Sequence, residues 1–188
     1  MAKNISSTQA QAHDSQAEQN MQPSQPAAKW LACISPQNRY LFNLDQTGEI
    51  IRGAPLTKVP FTQPWFCGLI SLRGKLHGVI DLHDFLVASR GAIPSDSGSL
   101  RRQVDEQGVC ILTLGASLEM LCGLVVGNLE GLRNAEDFDH VPASAAQFGP
   151  LIKCIYRDRS GSRWLEVNLA DLVTSLKKHS ISMVQASL

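Results

Sequence analysis

Between Pro64 and Leu82 the chain is almost uninterrupted apolar sequence, yet it carries one arginine, Arg73, followed by Gly74. An unpaired buried guanidinium is very costly. Arg73 must therefore project from a strand–turn–strand edge or find a partner inside the fold. Glycines at Gly68, Gly74 and Gly78 let the backbone turn and approach other backbone closely. This pattern describes a presented contact surface better than a catalytic pocket.

The flanking sequence predicts further hairpins. Trp30–Ile34 and Arg39–Leu44 are joined by Ser35-Pro-Gln-Asn38, which carries turn chemistry. Gln46–Ile51 reads as a short strand or a turn-to-strand passage, and Pro55 and Pro60 keep the following residues extended or irregular. Phe66–Leu72 and Lys75–Ile80 form a second hairpin with Arg73 and Gly74 at its turn. The period then changes: Leu82, Phe85 and Leu86 fall at helical spacing behind Asp81, a good N-cap. Residues 89–107 read as a polar loop, 109–126 as another hairpin, Asn128–Arg133 as a strand end or turn, and 134–150 as irregular. Leu151–Tyr156 and Arg163–Asn168 flank a turn at Arg157-Asp-Arg-Ser-Gly-Ser162, and a final helix runs from Asn168 to about Lys178.

One device occurs twice. Val79-Ile-Asp-Leu-His-Asp-Phe-Leu86 aligns with Glu166-Val-Asn-Leu-Ala-Asp-Leu-Val173, so that Asp81 matches Asn168 and Asp84 matches Asp171. Each reads as a strand entering an Asx-capped helical turn, which suggests two similar β-rich halves. Roughly seven to ten short strands without intervening long helices point to small barrels rather than a parallel βαβ sheet.

Composition narrows the function classes. The 188 residues carry 17 basic and 17 acidic side chains, so no basic excess draws the protein to nucleic acid or anionic lipid. The cysteines Cys33, Cys67, Cys110, Cys122 and Cys154 form no Cys-x-x-Cys pair and read as reduced, buried thiols of a cytoplasmic protein. Residues 1–28 are polar, lack the apolar core of a signal peptide, and are expected to be a disordered tail. Val109–Leu129 is long and apolar, but Glu119 and its glycines make it two strands around a turn rather than a membrane span.

Three candidate sites can be tested on spacing. His77, Asp81, His83 and Asp84 are close in sequence, but His77 and Asp81 would sit about 13 Å apart on a strand, too far for one metal ion. Cys67 with His77 and Asp81 has the residue types of a thiol hydrolase, but Trp-Phe-Cys-Gly-Leu looks like core, where a thiol is inert. Gly68 to Lys75 lacks the spacing of a phosphate-binding loop. Arg73 is left either as an exposed turn residue, as half of a pair with Asp81 or Glu49, or as a presented contact.

The run Pro60-Phe-Thr-Gln-Pro-Trp-Phe-Cys-Gly-Leu-Ile-Ser-Leu-Arg-Gly-Lys-Leu-His-Gly-Val-Ile-Asp-Leu82 resembles the CheW-like family of chemotaxis adaptors. Tyr40-Leu-Phe-Asn-Leu44 with Gly48-Glu-Ile50, and Gly161 through Leu172, fit the same family's preceding and closing segments. Ser71 stands where the family usually has asparagine. Gln46-Thr-Gly-Glu-Ile50 and Gln63-Pro-Trp-Phe66 look most like the PilI branch, which serves type IV pilus twitching motility.

The resemblance implies a mostly β fold of two small five-stranded SH3-like barrels with short helices and a C-terminal helix, in which strands can interleave. It places the CheW-like domain at residues 29–178, with a tail at 179–188. It implies no catalysis, cofactor or metal. The implied partners are the regulatory domain of a CheA-like histidine kinase and the tip of a methyl-accepting chemoreceptor. Receptor contact is expected at Glu49 and Arg73, on a turn whose backbone involves Gly68, Leu72 and Gly74; Asp81 and Asn168 are expected to be structural caps. The alternatives are a hydrolase using Cys67 and a small-molecule-binding barrel.

Overall fold

A computed structural model describes residues 29–93, 110–141 and 149–185. The tail at 1–28, most of the 89–107 loop and residues 142–148 and 186–188 lie outside the described residues. The elements are β1 (Trp30–Ile34), β2 (Arg39–Asn43), β3 (Thr47–Arg52), β4 (Phe66–Leu72), β5 (Lys75–Asp81), α1 (Leu82–Ala88), β6 (Cys110–Leu114), β7 (Cys122–Arg133), β8 (Phe138–Val141), β9 (Ile152–Asp158), β10 (Arg163–Val167) and α2 (Leu169–Gln185). The expected hairpins at 30–43 and 66–81 form, and Ser35 Oγ closes the first turn by donating to the Asn38 carbonyl at 3.0 Å.

Pairing runs continuously through the strands but divides into two barrels. In the first, β3 pairs with β6, β6 with β7, β7 with β5 and β5 with β4. A bridge between Thr57 and Leu69 brings the chain after β3 against β4. In the second, β7 pairs with β1, β1 with β2, β2 with β10, β10 with β9 and β9 with β8. β7 belongs to both: residues up to Gly127 pair with β5 and β6, and residues from Asn128 pair with β1. The changeover is at Gly127, whose φ of 83° favours glycine and whose missing Cβ would collide with the Ile34 carbonyl.

Each strand face has a different destination. Cys67, Ile70, Val79, Ile111 and Val125 fill the first barrel. Trp30, Ala32, Leu41 and Trp164 fill the second, with Phe138 and Tyr156 against them. The alternate residues, among them Leu31, Cys33, Tyr40, Phe42, Leu112 and Leu124, meet α1 and α2 in one large core between the barrels. Strands buried on both faces read as continuous apolar runs. This explains why 109–129 resembled a membrane span; among the described residues no helix is long and apolar enough to cross a membrane.

Of the two readings of Asn128–Arg133, strand end and turn, the strand holds: it is the end of β7, paired with β1, a partner that the polar Asn-Leu-Glu-Gly-Leu-Arg pattern does not announce. Two other sequence expectations need correction. The stretch 134–150 contains β8, set by Phe138 packing edge-on to Trp30 and Trp164. The last helix passes Lys178 to Gln185. Ser180 and Ser182 are weak helix formers, but His179 is held against the rings of Trp65 and Phe85.

The duplicated device is present in both halves. Asp81 is fully buried and accepts a hydrogen bond from the Asp84 amide at 3.2 Å, while its own N–H donates to the Trp65 carbonyl at 2.8 Å. Asn168 likewise accepts from the Asp171 amide at 3.2 Å and donates its N–H to the Leu151 carbonyl at 2.8 Å. Both expected caps are therefore observed. Asp81→Ala is expected to cost about 1–2 kcal/mol in urea unfolding, and Asn168→Ala toward the lower end, since only Asp81 is buried.

The β9–β10 turn is organised by Asp158. Its Oδ1 accepts from the amides of Ser160 and Ser162, each at 2.9 Å, and its Oδ2 accepts from Trp164 Nε1–H at 2.8 Å. Burial pushes the carboxyl's pKa up, but these donors and the Ser160 hydroxyl outweigh it and bring it down to about 2. A lowered folded-state pKa contributes stability above the ordinary aspartate value, near 4, which is lost as pH falls toward 2. The melting-temperature gap between wild type and Asp158→Asn should therefore be full at pH 6 and close between about pH 4 and pH 2.

Candidate functional site

The site grows from the β4–β5 turn. Leu72 and Lys75 form the last rung of the hairpin, and Arg73 and Gly74 between them have φ of 50° and 76°. Positive φ at both central residues is the type I′ arrangement, whose usual first residue is Asn or Asp rather than arginine. A non-glycine residue there is disfavoured by roughly 1–2 kcal/mol. The side chain is 78% exposed, and its guanidinium reaches Glu49 Oε1 at 3.0 Å. An ion pair this open contributes about 0–1 kcal/mol, which does not offset the backbone strain. The pairing with Glu49, one of the alternatives for Arg73, is the one observed; Asp81 is committed to its cap.

Glu49 owes its position to a β-bulge. The β3–β6 register passes from Thr47 opposite Leu114 to Ile50 opposite Leu112, so Gly48 and Glu49 together face Thr113. Thr113 Oγ1 accepts a hydrogen bond from the Glu49 N–H at 2.6 Å and lies 3.2 Å from the Glu49 carbonyl, to which it donates. A Cβ on Gly48 would lie 2.5 Å from the same hydroxyl. Gly48 entered the sequence reading only as part of the family resemblance, and Thr113 was not singled out. The available signal was the lone polar residue in Cys110-Ile-Leu-Thr-Leu114, a strand with all five residues buried.

Gly68 sits apart from this pair. Its φ is 142°, and a Cβ would lie 2.5 Å from the Thr57 carbonyl, so it admits the Thr57 backbone that closes the barrel. Leu72 is half-buried at the base of the turn. Asp81 and Asn168 are helix caps and take no part in the Glu49–Arg73 surface.

The other candidates are placed as follows. His77 is buried with Nδ1 3.2 Å from the Lys75 carbonyl, and Asp84 is buried beside the Asp81 cap. Among the described residues no three His, Cys, Asp or Glu side chains are grouped to hold a metal. Cys67 is packed with Ile70, Val79, Ile111 and Val125 inside the first barrel, with Sγ 3.9 Å from the Trp65 carbonyl. Burial pushes the thiols of Cys33 and Cys122 up to about 12, with Cys110 adding to the effect on Cys33.

The same barrel exposes apolar surface. Leu76 and Leu121 are 63% and 51% exposed, and Leu121 is tied to β5 by its carbonyl, which accepts from the Gly78 amide two residues beyond Leu76. Beside them lies a groove of about 400 Å³ lined by Trp65, Phe66, Ile80, Met120 and Leu176 among others.

The hydroxyl of Thr113 gives a direct test of the bulge. Thr113→Val keeps the shape but removes both hydrogen bonds to Glu49; it should lower stability by about 1–3 kcal/mol and speed amide exchange at Glu49, whereas Thr113→Ser should preserve most of that protection.

Comparison with known proteins follows from this geometry. No curated protein matches at a significant level. Among solved structures, the scaffolding protein TtCheW from Thermoanaerobacter tengcongensis is similar, with a TM-score of 0.56 and 18% identity over 77% of this chain and 90% of that one. That likeness concerns the fold. The description of the CheW-like domain matches residues 29–177. With two barrels sharing a strand and a core, and a match across most of its length, this chain belongs to the CheW-like domain family.

Proposed function

We propose that the protein is a non-enzymatic adaptor that couples a chemoreceptor to a CheA-like histidine kinase in the cytoplasm. The observation that carries this reading is the exposed Glu49–Arg73 pair, held in place by a bulge and a left-handed arginine at a cost to stability that its own ion pair does not offset. A residue kept in a disfavoured conformation at the surface is a mark of a functional constraint. The pair offers a carboxylate and a planar five-donor fork side by side, a combination suited to polar recognition of a protein surface.

Within this reading the receptor tip docks on Glu49 and Arg73, with Leu72 and Gly74 setting the turn and Gly68 the barrel behind it. The kinase regulatory domain takes the apolar barrel end at Leu76 and Leu121. Signal passes because the receptor's states bind the adaptor unequally; a bridge indifferent to state transmits nothing. The stretch 29–178 is the adaptor unit. The PilI-like features at Gln46–Ile50 and Gln63–Phe66 support pilus-driven twitching, rather than flagellar chemotaxis, as the output.

Calorimetric titration with the kinase regulatory domain, and separately with a receptor-tip hairpin, tests the assignment. Arg73→Glu and Glu49→Arg should each weaken receptor binding roughly tenfold or more while leaving kinase binding and melting temperature unchanged. The double charge swap should recover part of the loss. Parallel falls in binding and melting temperature would make the pair structural, and an absence of binding to either partner by the folded protein would overturn the adaptor role.

A further inference from the structure

Another face of the first barrel carries a projection and a recess side by side. We infer that two copies of this chain associate weakly about a two-fold axis, each laying Phe61 into the apolar groove of the other. Phe61 is fully exposed at a φ of 58°. That conformation is an outlier for a bulky side chain; Gly or Asn is its usual occupant. The loop around it is nevertheless tied down. Thr62 Oγ1 donates to the Val59 carbonyl at 3.0 Å, and the Phe66 amide donates to the Gln63 carbonyl at 2.9 Å. A strained backbone and an uncovered ring are both unfavourable within one copy, and nothing among the described residues offsets them.

The recess begins at the residues beside the ring. The groove of about 400 Å³ is lined by Val59 and Thr62 from this loop, by Met120 and Leu121 from the start of β7, and by Phe66 and Leu176. Strand register separates its two walls. Thr57 is bridged to Leu69, Leu69 pairs with Gly78, and Gly78 pairs with Cys122. Three interstrand steps of about 4.8 Å put the walls on the order of 14 Å apart along the sheet. Exposed Lys58 stands beside the first wall and exposed Glu119 beside the second. Glu119, like Phe61, is held at positive φ. Neither charge has an ion-pair partner among the described residues, and at this separation the two do not meet within one copy.

These features favour a second copy as the occupant. A closed dimer needs one patch complementary to itself, and here projection and recess, cation and anion, share a patch. A two-fold axis along the groove turns the 58–62 loop of each copy toward the 119–121 wall of the other. Phe61 then covers Leu121, which is 51% exposed in a single copy. Lys58 faces Glu119 of the other copy, once on each side of the axis. The net charge of zero sets no overall repulsion against the approach. An aromatic side chain buries roughly 150–250 Å². Two of them, with the walls they cover, bury roughly 800 Å², short of the about 1,200–2,000 Å² of a stable interface. The association is therefore weak and reversible. Leu121 also belongs to the surface assigned above to the kinase, so within the adaptor reading a paired copy is closed to the kinase. The pairing itself does not depend on that reading.

Sedimentation velocity of the full chain, from about 10 μM to about 1 mM, tests the pairing. Wild type should pass from monomer toward dimer within that range. Phe61→Asn, which suits the positive φ, should weaken association at least tenfold without lowering the melting temperature. Lys58→Glu and Glu119→Lys should each weaken it about fivefold alone. An equimolar mixture of those two variants should recover wild-type association, because every charge then meets its opposite across the axis. Should Phe61→Asn melt early, the mixing result decides the matter by itself. A wild type that stays monomeric overturns the proposal and leaves the groove to another protein or a small apolar ligand. So does a dimer indifferent to Phe61→Asn, or a mixture no tighter than either variant alone. Growth beyond the dimer also overturns it, since that marks an open head-to-tail contact. These readouts use neither receptor nor kinase, so failure here is distinguishable from failure of the adaptor reading.

Discussion

The rest of the structure depends on β7 being buried on both faces along its first half and shared between two barrels. Leu124 and Val126 face the core between the barrels, while Val125 faces into the first barrel. Neither barrel is large enough to hide both faces of its own strands, because small enclosures bury a small fraction of their surface. Packing them against each other through the strand they share solves this. The same arrangement recruits α1 and α2, whose apolar residues Leu82, Phe85, Leu169 and Leu172 are fully buried in that joint core.

Against that rigid background the Glu49–Arg73 surface is assembled from local irregularities. A bulge displaces Glu49 from the ladder, a buried threonine hydroxyl ties its backbone down, and a left-handed arginine reaches across from another hairpin. Regular pairing would have put Glu49 in register and left the turn to Asn-Gly. Bulges and strained backbone recur where a side chain must be re-aimed.

The parts of this structure that were legible in the sequence were those controlled by neighbours along the chain. The 30–43 and 66–81 hairpins follow from turn residues and short apolar runs, and the two Asx caps from the match between residues 79–86 and 166–173. Glu49 and Arg73 were both identified through the family resemblance, and their pairing was one of the residue-level alternatives. What could not be read was set across the fold. Asn128–Arg133, readable only as strand end or turn, is decided for strand by β1, and Phe138 makes a strand of polar sequence because three aromatic rings surround it. Thr113 looked like an ordinary β-branched strand residue, since nothing local reveals that its partner is 64 positions away.

The order in which the barrels are woven has a consequence for how the protein is made. β1 and β2 leave the ribosome before β3 to β10, yet β2 pairs with β10, and Tyr40 and Leu165 are about 125 residues apart. The first barrel lies wholly within that interval, so it can close while β2 still has an open edge. Unpaired strand edges invite association with other chains. The nascent protein is thus most exposed to misassembly late in synthesis, when one barrel is complete and the other awaits its last strands.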